Sequence, residues 1–185
     1  MKRVALVLSL LASSCGGGGG SSSVAPASAA PPQAITATFQ PSQTPSGPGV
    51  VVDGPSSPQQ GSITLDFVAS SISNPTYGAA FDLDFDPSLV SFDSFQNGSF
   101  FEPGGKVNYQ VAKAPGNPGK LIVGVSLLGS SNGASGNGRI LSIRFSIQNT
   151  VGTSALTFAG NNLLDPNGQI IPNVSWSAGT IQTRR

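Results

Sequence analysis

Apolar and polar residues alternate with a period of two in one segment of the chain after another, beginning at Ile35-Thr36-Ala37-Thr38-Phe39. That period belongs to a strand with one face buried and the other in water. It recurs at the start of 63–69, strictly in Phe81-Asp82-Leu83-Asp84-Phe85, in 89–93, in Val107-Asn108-Tyr109-Gln110-Val111 and in the second half of 140–147. Residues 121–128 are nearly all apolar, as expected of a strand inside a sheet. Residues 154–158 and 174–177 complete nine predicted strands. Val50-Val51-Val52, set between prolines, is predicted as a further short edge segment. No stretch shows sustained helical periodicity.

Turn chemistry separates these segments. Asn97-Gly98, Pro103-Gly104-Gly105, Pro115 to Gly119, Asn132-Gly133, Asn137-Gly138 and Asp165-Pro166-Asn167-Gly168 all carry residues that favour tight turns. Short strands with frequent turns mean an all-β sandwich or barrel. A domain of about 150 residues buries roughly 68–70% of its unfolded surface, so it holds together without a disulfide.

The first residues read as an address. Lys2 and Arg3 precede a short run, 4–12, that is apolar apart from Ser9. A bilayer span needs about 20 apolar residues, so this run suits a secretory signal instead. Leu11-Ala12-Ser13-Ser14-Cys15 then resembles a bacterial lipobox, with its leucine one position further from the cysteine than usual. The resemblance implies cleavage after residue 14, a lipoprotein signal peptide over 1–14 and lipidation of Cys15. Cleavage removes Lys2 and Arg3, leaving seven Lys and Arg against eight Asp and Glu. Two or more acyl chains give a stable membrane anchor where one does not. Residues 15–33 are Gly, Ser, Ala and Pro with little else. Such a segment is expected to be a disordered tether, reaching roughly 25 Å as a flexible coil. The folded domain is then 34–185.

Composition narrows the chemistry. The chain has no histidine and one cysteine, which excludes a His-containing zinc site, a Ser-His-Asp or Cys-His catalytic set and an internal disulfide framework. Nine Lys and Arg face eight Asp and Glu, so no basic surface for nucleic acid is expected. A glycosidase needs two opposed carboxylates about 5–9.5 Å apart, and nothing singles out one pair here. The chain is therefore not read as an enzyme.

Four segments together resemble the cohesin domain. Residues 77–90, with Phe85-Asp86-Pro87-Ser88-Leu89-Val90 at their end, look like the third and fourth strands of that family. Residues 119–127 look like its sixth strand, and the Gly/Ser loop 129–138 with Arg139-Ile140-Leu141-Ser142-Ile143-Arg144-Phe145 like its loop and seventh strand. Residues 163–172, around Asp165-Pro166-Asn167-Gly168, match the hairpin before its last strand. The resemblance implies a nine-stranded jelly-roll or Ig-like β-sandwich, related in fold to carbohydrate-binding modules. It implies a recognition module at a cell surface that docks a protein partner, either a calcium-loaded dockerin in the service of polysaccharide degradation or another protein. It also implies where: the outward face of the third, fifth and sixth strands, which by residue-wise match includes Asp82 and Asp84. By alternation Asn108 and Gln110 lie beside them, with Ser126. The chain has one such domain, with no scaffold repeats and no dockerin of its own.

The remaining candidates are weaker. EF-hand spacing counted from Asp82 reaches Asp84, Asp86 and Asp93, but the position that needs glycine holds Pro87. Asp82 and Asp84 on one strand face, about 7 Å apart, leave a shared surface calcium as the one metal reading; otherwise no cofactor is expected. Asp86 is expected to cap a turn before Pro87. Sugar binding is the rival function on the same fold, since such modules stack exposed aromatics on sugar rings. Trp176 is the only tryptophan, and it is expected to pack in or near the core. Lys106, Lys113 and Lys120 read as scattered solubilising charges.

Overall fold

The computed structural model describes residues 33–43, 45–129 and 132–185. The predicted signal peptide, Cys15 and the tether up to residue 32 lie outside the described residues. Twelve strands follow in order: β1 (Thr36–Pro41), β2 (Gly49–Asp53), β3 (Gln59–Gln60), β4 (Ser62–Thr76), β5 (Gly78–Asp84), β6 (Val90–Asn97), β7 (Val107–Ala114), β8 (Asn117–Leu127), β9 (Ala134–Ile147), β10 (Gly152–Leu164), β11 (Ser175–Ser177) and β12 (Gly179–Arg184). The only helical element among the described residues is one 3₁₀ turn, Glu102–Gly104.

The strands form two sheets. One has seven strands in the order β3-β1-β12-β10-β5-β8-β7; the other has five, β11-β2-β4-β9-β6. The alternation seen in the sequence is the division between the sheets' inner and outer faces. In β5, Ala79, Phe81 and Leu83 are buried while Ala80, Asp82 and Asp84 face outward. In β4, Ile63, Leu65, Phe67 and Ala69 are likewise buried. Aromatic pairs tie the layers together. Phe67 of β4 stacks on Phe81 of β5 at 5.4 Å, and Phe145 of β9 meets Phe85 at 5.1 Å. Each such pair adds about 0.5–1.5 kcal/mol beyond the area it buries.

Buried polar groups are paired. Ser154 Oγ accepts from the Asp86 N–H at 2.9 Å, and Thr183 Oγ1 donates to the Thr150 carbonyl at 2.8 Å. The turn after β5 is held as expected at Asp86, whose carboxylate accepts from the Ser88 N–H (2.9 Å) and hydroxyl (2.6 Å). Gly98, after β6, must be glycine. Its N–H donates to the Ile140 carbonyl at 3.0 Å, and a Cβ there would lie 2.0 Å from the Arg139 carbonyl oxygen.

The structure departs from the sequence reading at the C-terminus. Residues 174–177 were expected to form the last strand. Their core, β11, is a three-residue strand parallel to β2, and the chain crosses at Ala178 into β12 of the other sheet. β12 lies between β1 and β10. Thr180-Ile181-Gln182-Thr183 holds one large apolar residue, so its alternation is faint, yet Ile181 is wholly buried. The short Val50-Val51-Val52 run is an interior strand, β2, between β11 and β4 rather than an edge.

Candidate functional site

A sandwich has two outer faces, and here they differ. The outer face of the five-stranded sheet is spent on internal ion pairs. Arg144 meets Asp93 at 3.2 Å, Arg139 meets Asp66 at 3.8 Å, and the Ser142 hydroxyl donates to Asp66 at 2.6 Å. The outer face of β5, β8 and β7 gathers its ion pairs at one end, where Lys120 meets Asp82 and Asp84.

Three strands build that second face. β5 contributes Ala80, Asp82 and Asp84. β8 contributes Lys120, Ile122, Gly124 and Ser126, between buried Leu121, Val123, Val125 and Leu127. β7, at the sheet edge, contributes Asn108, Gln110 and Ala112. The register sets them in rows: Gly78, Ser126 and Asn108; Ala80, Gly124 and Gln110; Asp82, Ile122 and Ala112; Asp84 and Lys120. The structure thus brings all five sequence-predicted residues, Asp82, Asp84, Asn108, Gln110 and Ser126, onto one continuous surface. Asn108, Gln110 and Ser126 edge a shallow depression of about 240 Å³ that Ala80 and Gly124 floor and Leu164 flanks.

Two residues that the sequence reading did not select lie on the middle strand of this surface, β8. Ile122 is 47% exposed, one of four large apolar side chains among the described residues that face water to this extent. It sits between Asp82 and Ala112, where small neighbours leave it standing proud. The apolar run 121–128 suggested a strand interior to its sheet, and β8 is interior, between β5 and β7. Its outward position at Ile122 is nonetheless apolar, and that was the overlooked signal.

Lys120 corrects the reading of it as an ordinary solubilising charge. Its ammonium lies 3.0 Å from Asp82 and 3.9 Å from Asp84. The hydrogen bond that it donates to Asp82 holds the amine above its ordinary pKa; desolvation opposes this, and the charges of Asp82 and Asp84 add to it. The cation between the two carboxylates is therefore supplied by the chain itself. Among the described residues no three Asp, Glu, Cys or His side chains converge as a metal site would need. At the border of the face, the Tyr109 hydroxyl donates to the Gly98 carbonyl at 2.8 Å, and burial pushes that phenol's pKa up.

Chemically, this surface is a preformed, nearly rigid sheet with an apolar centre at Ile122, a polar row along β7 and a half-neutralised acidic corner at Asp82 and Asp84. Such a pattern fits docking of another surface. The aromatics are disposed differently. Phe100 and Phe101 are buried and packed edge to face at 4.9 Å, while Trp176 packs against the core at Phe81 and Phe158 and stays half-buried.

The family model for the cohesin domain matches residues 48–183. The chain belongs to the cohesin family. Solved structures agree on the fold. The sixth cohesin of scaffoldin B from Acetivibrio cellulolyticus, solved in complex with a Cel5 dockerin, shares 21% identity and a TM-score of 0.56, over 72% of this chain and 98% of that one. CaCohA2 from Clostridium acetobutylicum shares 18% identity with a TM-score of 0.53, over 78% of this chain and 90% of that one. A non-cellulosomal cohesin from the archaeon Archaeoglobus fulgidus shares 17% identity with a TM-score of 0.50, over 77% of this chain and 88% of that one. No curated protein matches this cohesin in sequence.

Proposed function

We propose that this cohesin is a non-catalytic recognition module that binds a dockerin through the outer face of β5, β8 and β7. The observation that carries the proposal is Ile122. An isoleucine 47% exposed at the centre of a flat sheet face, with a hydrogen-bonding row on one side and carboxylates on the other, has the arrangement of an interface core and its rim. Family membership supplies the class of partner, since the Acetivibrio cellulolyticus relative was solved holding a dockerin. Little rearrangement of the sheet is needed, because the face is already formed. Asn108, Gln110 and Ser126 supply side-chain hydrogen bonds, and Asp82 and Asp84 set the charge that a partner meets. Calcium enters through the dockerin, whose folding requires it.

The module's place is exported and membrane-anchored. The signal-like run 4–12 and Cys15 support an acylated N-terminus, with the tether up to residue 33 holding the domain off the surface. In that position a dockerin-bearing enzyme would be retained at the cell surface, which fits a role in polysaccharide breakdown.

The test is capture of calcium-loaded dockerin modules by the immobilised chain, repeated with a chelator and with the Asp82→Ala/Asp84→Ala variant. Binding should need calcium and should weaken in the variant, while the variant's circular dichroism and melting stay close to the parent. Both aspartates point to solvent, so loss of folding would show that the face has been misassigned.

A further inference from the structure

A second surface feature lies away from Ile122, at the place where the seven-stranded sheet changes partners. β10 pairs with β12 only from Gly152 to Leu156, and with β5 only from Thr157 onward, on its other side. Beyond Leu156, no described strand pairs with the edge of β10 that β12 leaves. A register shift between Ala159 and Asn162, with Gly160 at φ +57°, bends the strand further. Beside this opening the chain runs through Val174 and Trp176 on its way from one sheet to the other.

The result is a shallow, open cleft of about 410 Å³ lined by Trp176, Phe158, Val174, Thr157, Asn161 and Ser42, among others. Trp176 and Phe158 pack edge to face at 5.1 Å, and both rest on Phe81, at 5.5 and 5.3 Å. They are the two partly buried members of an aromatic cluster whose other rings, Phe67 and Phe81, are fully buried. The cleft's polar groups are uncommitted: the Trp176 indole N–H, the Asn161 amide and the Thr157 and Ser42 hydroxyls have no hydrogen-bond partner among the described residues. No charged side chain lines the cleft.

We infer that this cleft is a binding site for one ring of a neutral saccharide. Three features select that chemistry together. Aromatic rings accept the apolar C–H face of a sugar, and free amide and hydroxyl groups match its hydroxyls. The absence of charge disfavours uronic acids, phosphates and amino sugars. The volume falls at the lower end of the range for small-ligand sites, suited to one ring and not to a long chain lying in a groove. The inference is independent of dockerin docking, because no residue of the β5, β8 and β7 face named above lines this cleft.

Trp176 is the only tryptophan in the chain, so its emission reports on the cleft alone. The test is titration of the 185-residue chain with neutral gluco-, xylo- and manno-oligosaccharides, followed by indole fluorescence and by calorimetry. At least one series should give a saturable emission change with matching heat. The surface variants Asn161→Ala and Thr157→Ala should each weaken it roughly three- to tenfold, the loss of one hydrogen bond. Asp82→Ala/Asp84→Ala should leave it unchanged. Absence of saturable binding in all three series overturns the inference, as does sugar binding that neither cleft variant alters. A dockerin that shifts the indole emission and that no sugar displaces would assign the cleft to the protein partner, and would overturn it too.

Discussion

Asp86 shows how much one exposed side chain does for this fold. It holds the turn that follows β5 by accepting two hydrogen bonds from Ser88. Those bonds, the hydroxyl's first and the backbone N–H's second, hold its carboxyl below the usual carboxylate range. A depressed folded-state pKa means that the folded protein takes up this proton later than the unfolded chain does. The contribution to stability is complete above the unfolded pKa and is lost as pH falls through the folded one. Asp86→Asn keeps an acceptor oxygen but cannot titrate. Its urea midpoint should therefore fall less steeply than the parent's below about pH 4, a comparison that a pH series of denaturation curves makes directly. Asp86 was readable from Asp-Pro turn chemistry alone. Lys120 was not, because its position opposite Asp84 depends on a cross-strand register that one strand's sequence does not contain. Ile122 was readable in principle: it is an outward position in β8 that carries a large apolar side chain, between Asp82 of β5 and the small Ala112 of β7.

At the scale of elements, strands with two or more large apolar residues on one face were visible, and those without were not. β5 and β7 alternate cleanly and were placed, together with the faces of Asp82, Asp84, Asn108 and Gln110. β12 carries only Ile181 as a large inward residue and was missed, although it joins the first strand to β10. β11 and β2 make the parallel pair of the structure, and parallel pairing leaves no hairpin signal between segments so far apart in sequence. Close approaches between elements are equally silent until the fold is known. Gly98 looked like half of an Asn-Gly turn, but the structure requires it for a second reason, the Arg139 carbonyl pressed against its Cα. Both groups are backbone, so neither can move aside. Gly98→Ala should cost about 3 kcal/mol, at the upper end for overpacking, read as a lowered denaturation midpoint with unchanged secondary structure.

For the whole molecule, the two outer faces of the sandwich divide the work. The five-stranded face closes its charges on itself through Arg144–Asp93 and Arg139–Asp66, while the β5, β8 and β7 face keeps an exposed isoleucine and uncommitted amides. The all-β class, the sandwich and the family were legible because turn residues and period-two patterning are local signals. The choice of docking face rests on the family resemblance, and the register adds an exposed isoleucine, Ile122, on the middle strand of that face. The proposed anchor is tested at this scale as well. Cys15→Ser should abolish incorporation of labelled palmitate and release the protein from the membrane fraction, whereas the parent should carry the label.

Calorimetry of the chain against a calcium-loaded dockerin, comparing the parent with Ile122→Asp and Arg144→Ala, tests the docking assignment most directly. Ile122 is exposed, so its replacement should leave the fold intact while placing an unpaired charge at the interface centre. The account predicts one-to-one binding to the parent, a loss of at least about a hundredfold (about 2.7 kcal/mol) in Ile122→Asp, and no change in Arg144→Ala on the opposite face. Equal binding by the parent and Ile122→Asp, or a loss confined to Arg144→Ala, would contradict it.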